Sequence, residues 1–278
     1  MTQLDQTADV RTTVEDGVGR IVLDRPRALN ALTLAMVEHV RDALLEWRDA
    51  GLRAVTVESA TDRGFCAGGD IRQVRQNTLD GGLAASEAFF ATEYEVDHLL
   101  GTYPVPVVAL IDGVCLGGGI GLSVHGPFRV VTERASLAMP ETAIGFFPDV
   151  GASHALPRLP GAVGTYLGLT GARVDAADAL ACGLATHLVD VDVLPTIPTM
   201  LAADDRPVEA ALRSVARPAP TGSDLVAHRA QVDRIFSAPD LITVLERLRA
   251  ETTRDGEEGA WATKTLGVLE AVSPQSLE

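Results

Sequence analysis

The 278-residue chain is 46% hydrophobic, 22% charged and carries a formal charge of −15. That length can bury a sizeable core, as one large domain or as a main domain with a helical appendage, and no stretch is apolar over enough residues to cross a bilayer. Excess acid without a basic block excludes a surface built for nucleic-acid phosphates, and with Lys264 the only lysine, clamping of a small anion would fall to arginine.

The polar, acidic N-terminus shows no basic segment followed by an apolar one, so no secretory signal and a cytoplasmic location are expected. Residues 17–19 read as a turn and 20–24 as a strand, which Pro26 stops by lacking an N–H. Leu32, Met36, Val37, Val40, Leu44 and Leu45 recur at helical spacing, which predicts a helix over 33–49. A strand over 54–58, a loop of small residues over 59–69 and a short helix over 70–77 follow. Strand, helix, strand is the start of an α/β arrangement.

A longer helix is expected over 85–100, with Phe89, Phe90, Tyr94 and Leu99 available for burial. On spacing alone Glu93 reads there as a solvated charge. Pro104 and Pro106 lead into a strand over 107–111, then comes the glycine run Gly117, Gly118 and Gly119, an apolar segment of helical length, and an apolar run over 128–131. Helices are expected over 151–159, 163–169 and 176–182, and a strand over 184–189. From 193 onward helical patterns dominate, over 194–203, 208–215, 225–236, 241–252 and 260–272, so residues 1–192 form the expected core and 193–278 a helical C-terminal region. The Pro- and Gly-rich stretch 216–223 is the most linker-like.

The glycine run is no nucleotide fingerprint, because neither a G-x-x-x-x-G-K-[ST] nor a helix-opening G-x-G-x-x-G occurs. By itself it favours close packing of strand on helix. A second place with bare backbone precedes a helix at residues 65–70 (FCAGGD), and two converging N–H donors in a dry site can stabilise an oxyanion by about 3 kcal/mol or more. Glu141 and Asp149 lie eight positions apart among Met139, Ile144, Phe146 and Phe147. Such surroundings desolvate a carboxyl and raise its pKa toward acid–base use. Ser123 lacks the glycine of a nucleophile elbow two residues on, where His125 stands. The histidines show no ligand spacing, and Cys66, Cys115 and Cys182 read as buried thiols, so no metal and no disulfide are expected.

Five stretches taken together, RPRALNAL at 25–32, FCAGGD at 65–70, GGG at 117–119, MPETAIG at 139–145 and LTG at 169–171, resemble the successive signatures of the crotonase (enoyl-CoA hydratase/isomerase) superfamily. The resemblance spans nearly the whole chain and is strongest to the 3-hydroxyisobutyryl-CoA hydrolase branch. It implies a spiral of ββα units with a helical C-terminal region, commonly trimeric or a multiple of it, acting on an acyl-CoA. CoA is then part of the substrate and no separate cofactor is implied; neither nucleic acid nor membrane is an expected partner. The thioester oxygen would sit between the amides of Ala67 and Gly118. Glu93, Gly118, Glu141 and Asp149 match the branch's substrate-site positions, which reverses the reading of Glu93 from spacing. Contacts to CoA carry over to Arg27 and Ala28 and to the loop of Cys66, Gly68, Gly69 and Asp70.

One departure separates the chain from hydratases of this superfamily, which carry Glu two residues after the triple glycine, where this chain has Gly121. The resemblance therefore implies hydrolysis of 3-hydroxyisobutyryl-CoA, as in valine breakdown. Glu141 would act through a mixed anhydride or as base for direct water attack, and Asp149 would orient the water or the substrate hydroxyl. Members of the branch continue past the segment matching residues 273–277, so the helical region is expected to be shortened.

Overall fold

The computed structural model describes residues 9–277. The chain enters through an antiparallel hairpin, β1 (Val10–Glu15) and β2 (Val18–Leu23), whose turn is made by Asp16 and Gly17 at positive φ. Thr33 then caps α1 (Leu34–Trp47) by accepting from the Met36 N–H, and the helix buries Met36, Val37, Val40 and Leu44, the face that the apolar spacing marked. From here the chain winds as a spiral, each turn laying one strand in a large sheet and one in a small sheet.

β3 (Ala54–Ser59) joins the large sheet and β4 (Gly64–Cys66) starts the small one. After α2 (Ile71–Leu79) and α3 (Leu83–Gly101), β5 (Val107–Ile111) pairs parallel with β3, and β6 (Val114–Leu116) with β4. α4 (Gly118–Val124), β7 (Phe128–Val131) and β8 (Ser136–Ala138) repeat the turn. A 3-10 turn Glu141–Ile144, the short α5 (Ala152–Ala155), α6 (Val163–Thr170), β9 (Val174–Asp175), α7 (Ala176–Cys182) and β10 (His187–Leu188) complete the sheets, in the orders β1-β2-β3-β5-β7-β10 and β4-β6-β8-β9. β3 and β5 are buried along their length apart from Ser59, as strands covered on both faces must be. Buried Glu58 is met by both Arg20 Nε and Nη2, at 3.0 and 2.9 Å.

The C-terminal helices take two places. α8 (Ile197–Ala203) and α9 (Val208–Val215) cover the large sheet, setting Ile197, Leu201 and Leu212 on Val18, Ala54, Val108 and Val130. α10 (Asp224–Ala227), α11 (Arg229–Phe236), α12 (Leu241–Glu251) and α13 (Glu257–Ala271) gather near α6, where Tyr166 meets Phe236 edge to face at 5.1 Å. α14 (Pro274–Leu277) returns to the Glu141–Ile144 turn, where the Ser273 N–H donates to the Thr142 carbonyl at 3.0 Å. Among the described residues no helix is long and apolar enough to cross a membrane.

The structure departs from the expected elements where only tertiary pairing reveals them. β1 pairs with β2, and β4 lies inside the expected 59–69 loop. The 184–189 strand shrinks to β10, paired along β7 with a single antiparallel bridge from Leu188 to Arg217. The 225–236 helix breaks at His228, and 151–159 is α5 followed by a 3-10 turn, Leu156–Arg158, because Pro157 cannot donate the next helical bond. The glycine run packs tightly at its last member: a Cβ on Gly119 would lie 2.6 Å from the Cys66 carbonyl oxygen. Gly119→Ala should therefore destabilise the protein by about 1–3 kcal/mol in urea unfolding. An unchanged midpoint would contradict the close approach.

Candidate active site

Four segments enclose a cleft of about 430 Å³: the β4–α2 loop, the start of α4, one face of α3 and the stretch 140–149. α3 is packed against α1 and α4, so its residues at helical spacing (Phe89, Glu93, Val96, Asp97 and Leu100) are buried whatever their polarity. Phe90 stacks on Phe146 across the cleft at 5.6 Å, and Ile71 and Val74 of α2 form an apolar lip that also carries Arg75.

Glu141 begins the 3-10 turn, which Phe146 N–H closes onto its carbonyl at 3.1 Å. Its side chain reaches back over Gly117, whose φ of 47° opens α4; a Cβ there would lie 2.7 Å from Glu141 Oε1. Glu93 Oε1 is set against Gly118 in the same way, so that a Cβ at Gly118 would overlap it. Two members of the glycine run thus admit carboxyl groups, and the third admits a strand.

The acids are poorly compensated. Glu93 is 3% exposed and Glu141 6%, and Glu93 Oε1, Glu141 Oε2 and both carboxyl oxygens of Asp97 have no hydrogen-bond partner among the described residues. Burial, followed by the charges of Asp149 and Glu141, pushes the Glu93 carboxyl up to about 8. Burial, reinforced by Asp149, pushes Glu141 up to about 7. Asp97 is held well above the ordinary carboxylate range by burial and then by Glu93 and Asp149. Asp149 is raised by burial, which a hydrogen bond from the Tyr94 hydroxyl to Oδ2 at 2.8 Å opposes.

Of the residues expected from the sequence, Ala67, Gly68, Gly69, Glu93, Gly118, Glu141 and Asp149 all line this cleft. Cys66 and Asp70 do not. Cys66 is fully buried, its Sγ bonded to the Asn30 carbonyl and its thiol pushed up to about 12 by burial. Asp70 caps α2 through the Gln73 N–H and pairs with Arg25 at 2.8 Å, so its carboxylate is already satisfied. Arg27 and Ala28 lie outside the cleft wall on a 3-10 turn, Pro26–Ala28, so any contact from them would be with a part of the ligand beyond the cleft. The Ala67 N–H donates to the Leu29 carbonyl at 2.9 Å and is not free for an oxyanion, whereas the Gly69 and Gly118 amides have no acceptor in the protein among the described residues. Gly69 N is 3.3 Å from where a Gly118 Cβ would stand, so those two amides are the open pair. Tyr94, expected in the core, is 38% exposed. Asp97 was not anticipated; its i, i+4 spacing from Glu93 was the available signal.

A family model described as enoyl-CoA hydratase/isomerase matches residues 18–278. The chain belongs to the enoyl-CoA hydratase/isomerase, or crotonase, family. It is 41% identical to the mitochondrial 3-hydroxyisobutyryl-CoA hydrolase of Xenopus tropicalis over 96% of this chain and 72% of that protein. It is also 36% identical to the small ribosomal subunit protein mS47 of Neurospora crassa over 98% of this chain and 58% of that one. Among solved structures it superposes on a carnitinyl-CoA dehydratase from Mycobacterium thermoresistibile with a TM-score of 0.87 at 37% identity, covering 98% of this chain and 77% of that one. The likeness to the hydrolase branch read from the motifs therefore extends over nearly all of this chain and about three quarters of the Xenopus protein. Crotonase family membership accounts for the spiral of β3–β4, β5–β6 and β7–β8 pairs.

Two buried carboxyls with raised pKa make stability depend on pH. In the unfolded chain a glutamate releases its proton near pH 4.3, whereas folded Glu93 keeps it to about 8. Between those values the unfolded state binds fewer protons, so stability falls as pH rises. Glu93→Gln should flatten that fall between pH 5 and 8 in urea unfolding. A slope equal to that of the wild type would contradict the burial of Glu93 as an acid.

Proposed function

We propose that this crotonase hydrolyses an acyl-CoA thioester, with 3-hydroxyisobutyryl-CoA as the expected substrate and 3-hydroxyisobutyrate and CoA as products. The observation that carries the reading is Glu141. It is a desolvated carboxyl, half ionised near pH 7, facing an apolar cleft beside the open Gly69 and Gly118 amides. A thioester oxygen held by those amides would gain stabilisation as it becomes an oxyanion. Ionised Glu141 then either takes a proton from a water that adds to the carbonyl, or adds itself to give an anhydride that water opens. In both routes the C–S bond breaks and the thiolate leaves with a proton. Asp149 orients the water or the substrate hydroxyl.

Hydration of a double bond is disfavoured by the far side of α4. A Cβ at Gly121 would stand 2.7 Å from Val150 Cβ and 2.8 Å from Asp97 Oδ1, so a second glutamate has no room there. The name of the Xenopus relative supports the substrate. Trimeric assembly and a cytoplasmic location belong to the same reading.

Thiol release from 3-hydroxyisobutyryl-CoA tests it. The wild type should release CoA, with kcat/KM rising as pH passes about 7 and Glu141 ionises. Glu141→Gln should lower the rate by about 100-fold or more. Loss of enoyl absorbance without thiol release would show a hydratase instead, and binding without turnover a non-catalytic protein.

A further inference from the structure

Asp149 lies outside regular secondary structure, between the Glu141–Ile144 turn and α5, and its backbone carbonyl only accepts the Ala152 N–H. Its own backbone N–H gives the carboxylate some support, less than the hydroxyl of Tyr94 does. Among the described residues, the one hydrogen bond it accepts from another side chain comes from Tyr94, at 2.8 Å. The phenol sits on α3 next to Glu93, with its ring 6.1 Å from that of Phe90, which itself stacks on Phe146. The donor is therefore braced by the same aromatic group that walls the cleft.

The groups around Asp149 give it little other help. Glu93, Asp97 and Glu141 each feel its charge as repulsion. His125, at the end of α4, points its Nε2 at the Val150 carbonyl at 2.8 Å, and burial lowers its pKa, which disfavours a cation there. His154, on α5, is the remaining titratable neighbour in sequence. A hydroxyl donor favours the ionised form of the acid it bonds, and Tyr94 is the hydroxyl in place.

We propose that Tyr94 is a positioning residue, whose O–H holds Asp149 as the ionised hydrogen-bond acceptor of the site, with Oδ2 occupied and Oδ1 open to a hydroxyl of the ligand. The proposal rests on the reading of Asp149 as the group that orients water or substrate, and it adds a selectivity: hydroxylated acyl groups are preferred over their deoxy counterparts. Removing the phenol oxygen leaves the half-buried Asp149 without that donor, so the acid moves toward its neutral form and its orientation is lost.

Carboxyl NMR of the full chain, with Asp149→Asn to assign the resonance, tests this without reference to turnover. In Tyr94→Phe the Asp149 midpoint should move up by about one pH unit, the size of a hydrogen bond to a charged group. In the wild type the Tyr94 Cζ resonance should follow the same midpoint as Asp149, which needs no variant and covers the case of a poorly folded mutant. The ratio of kcat/KM for 3-hydroxyisobutyryl-CoA over isobutyryl-CoA should fall about tenfold in Tyr94→Phe. An unmoved midpoint, or a Tyr94 resonance silent through the Asp149 transition, overturns the proposal. Absence of thiol release with the NMR coupling intact would instead sink the hydrolase reading and leave Tyr94 in its place beside Asp149.

Discussion

Carboxyl groups drawn out of water and, among the described residues, in no ion pair are the constraint around which this molecule is arranged. Glu93, Asp97, Glu141 and Asp149 come from one helix and one loop, and burial is the largest influence on each. An ionised acid in such a place is expensive, so it keeps its proton further up the pH scale than it would in water. The arrangement costs stability as pH rises, and the same burial leaves the Glu141 carboxyl half charged near neutrality. Structure and chemistry here have a common cause.

The glycine run shows how the backbone accommodates that constraint. Gly119 lets α4 lie on β4, while Gly117 and Gly118 let Glu141 and Glu93 come down onto the start of the helix. Gly121, one turn further, is closed by Val150 and Asp97. The same helix that opens an amide toward the cleft therefore also denies the second glutamate of a hydratase. Asp97 supports this from behind: it fills the volume under Gly121, and burial holds its carboxyl well above the ordinary carboxylate range, with neither oxygen partnered among the described residues.

Much of this was legible in the sequence, for identifiable reasons. β5 matched its expected bounds because a short apolar run followed Pro106, the apolar run over 128–131 became β7, and α7 and α9 matched because a Gly or Pro flanked a periodic stretch. Glu141 and Asp149 announced themselves by their apolar neighbours. Glu93 did not, since its helical spacing suits a solvated face as well as a buried one, and only packing of α3 on α1 and α4 decides between them. The Ala67 amide looked free because its acceptor, Leu29, is remote in the chain and sits at a left-handed φ of 50° that nothing in its residue type suggests. Tyr94 and Asp149 are 55 positions apart, and no local pattern joins them.

The account depends on glutamates that remain protonated at pH values where ordinary glutamates do not. Infrared spectra of protein labelled with 13C at its glutamate carboxyls measure this directly, through the C=O band of the protonated acid. At pH 6 the band should be present, fall in two steps near 7 and 8, and lose one step each in Glu141→Gln and Glu93→Gln. A folded wild-type protein with no protonated glutamate at pH 6 would contradict the account.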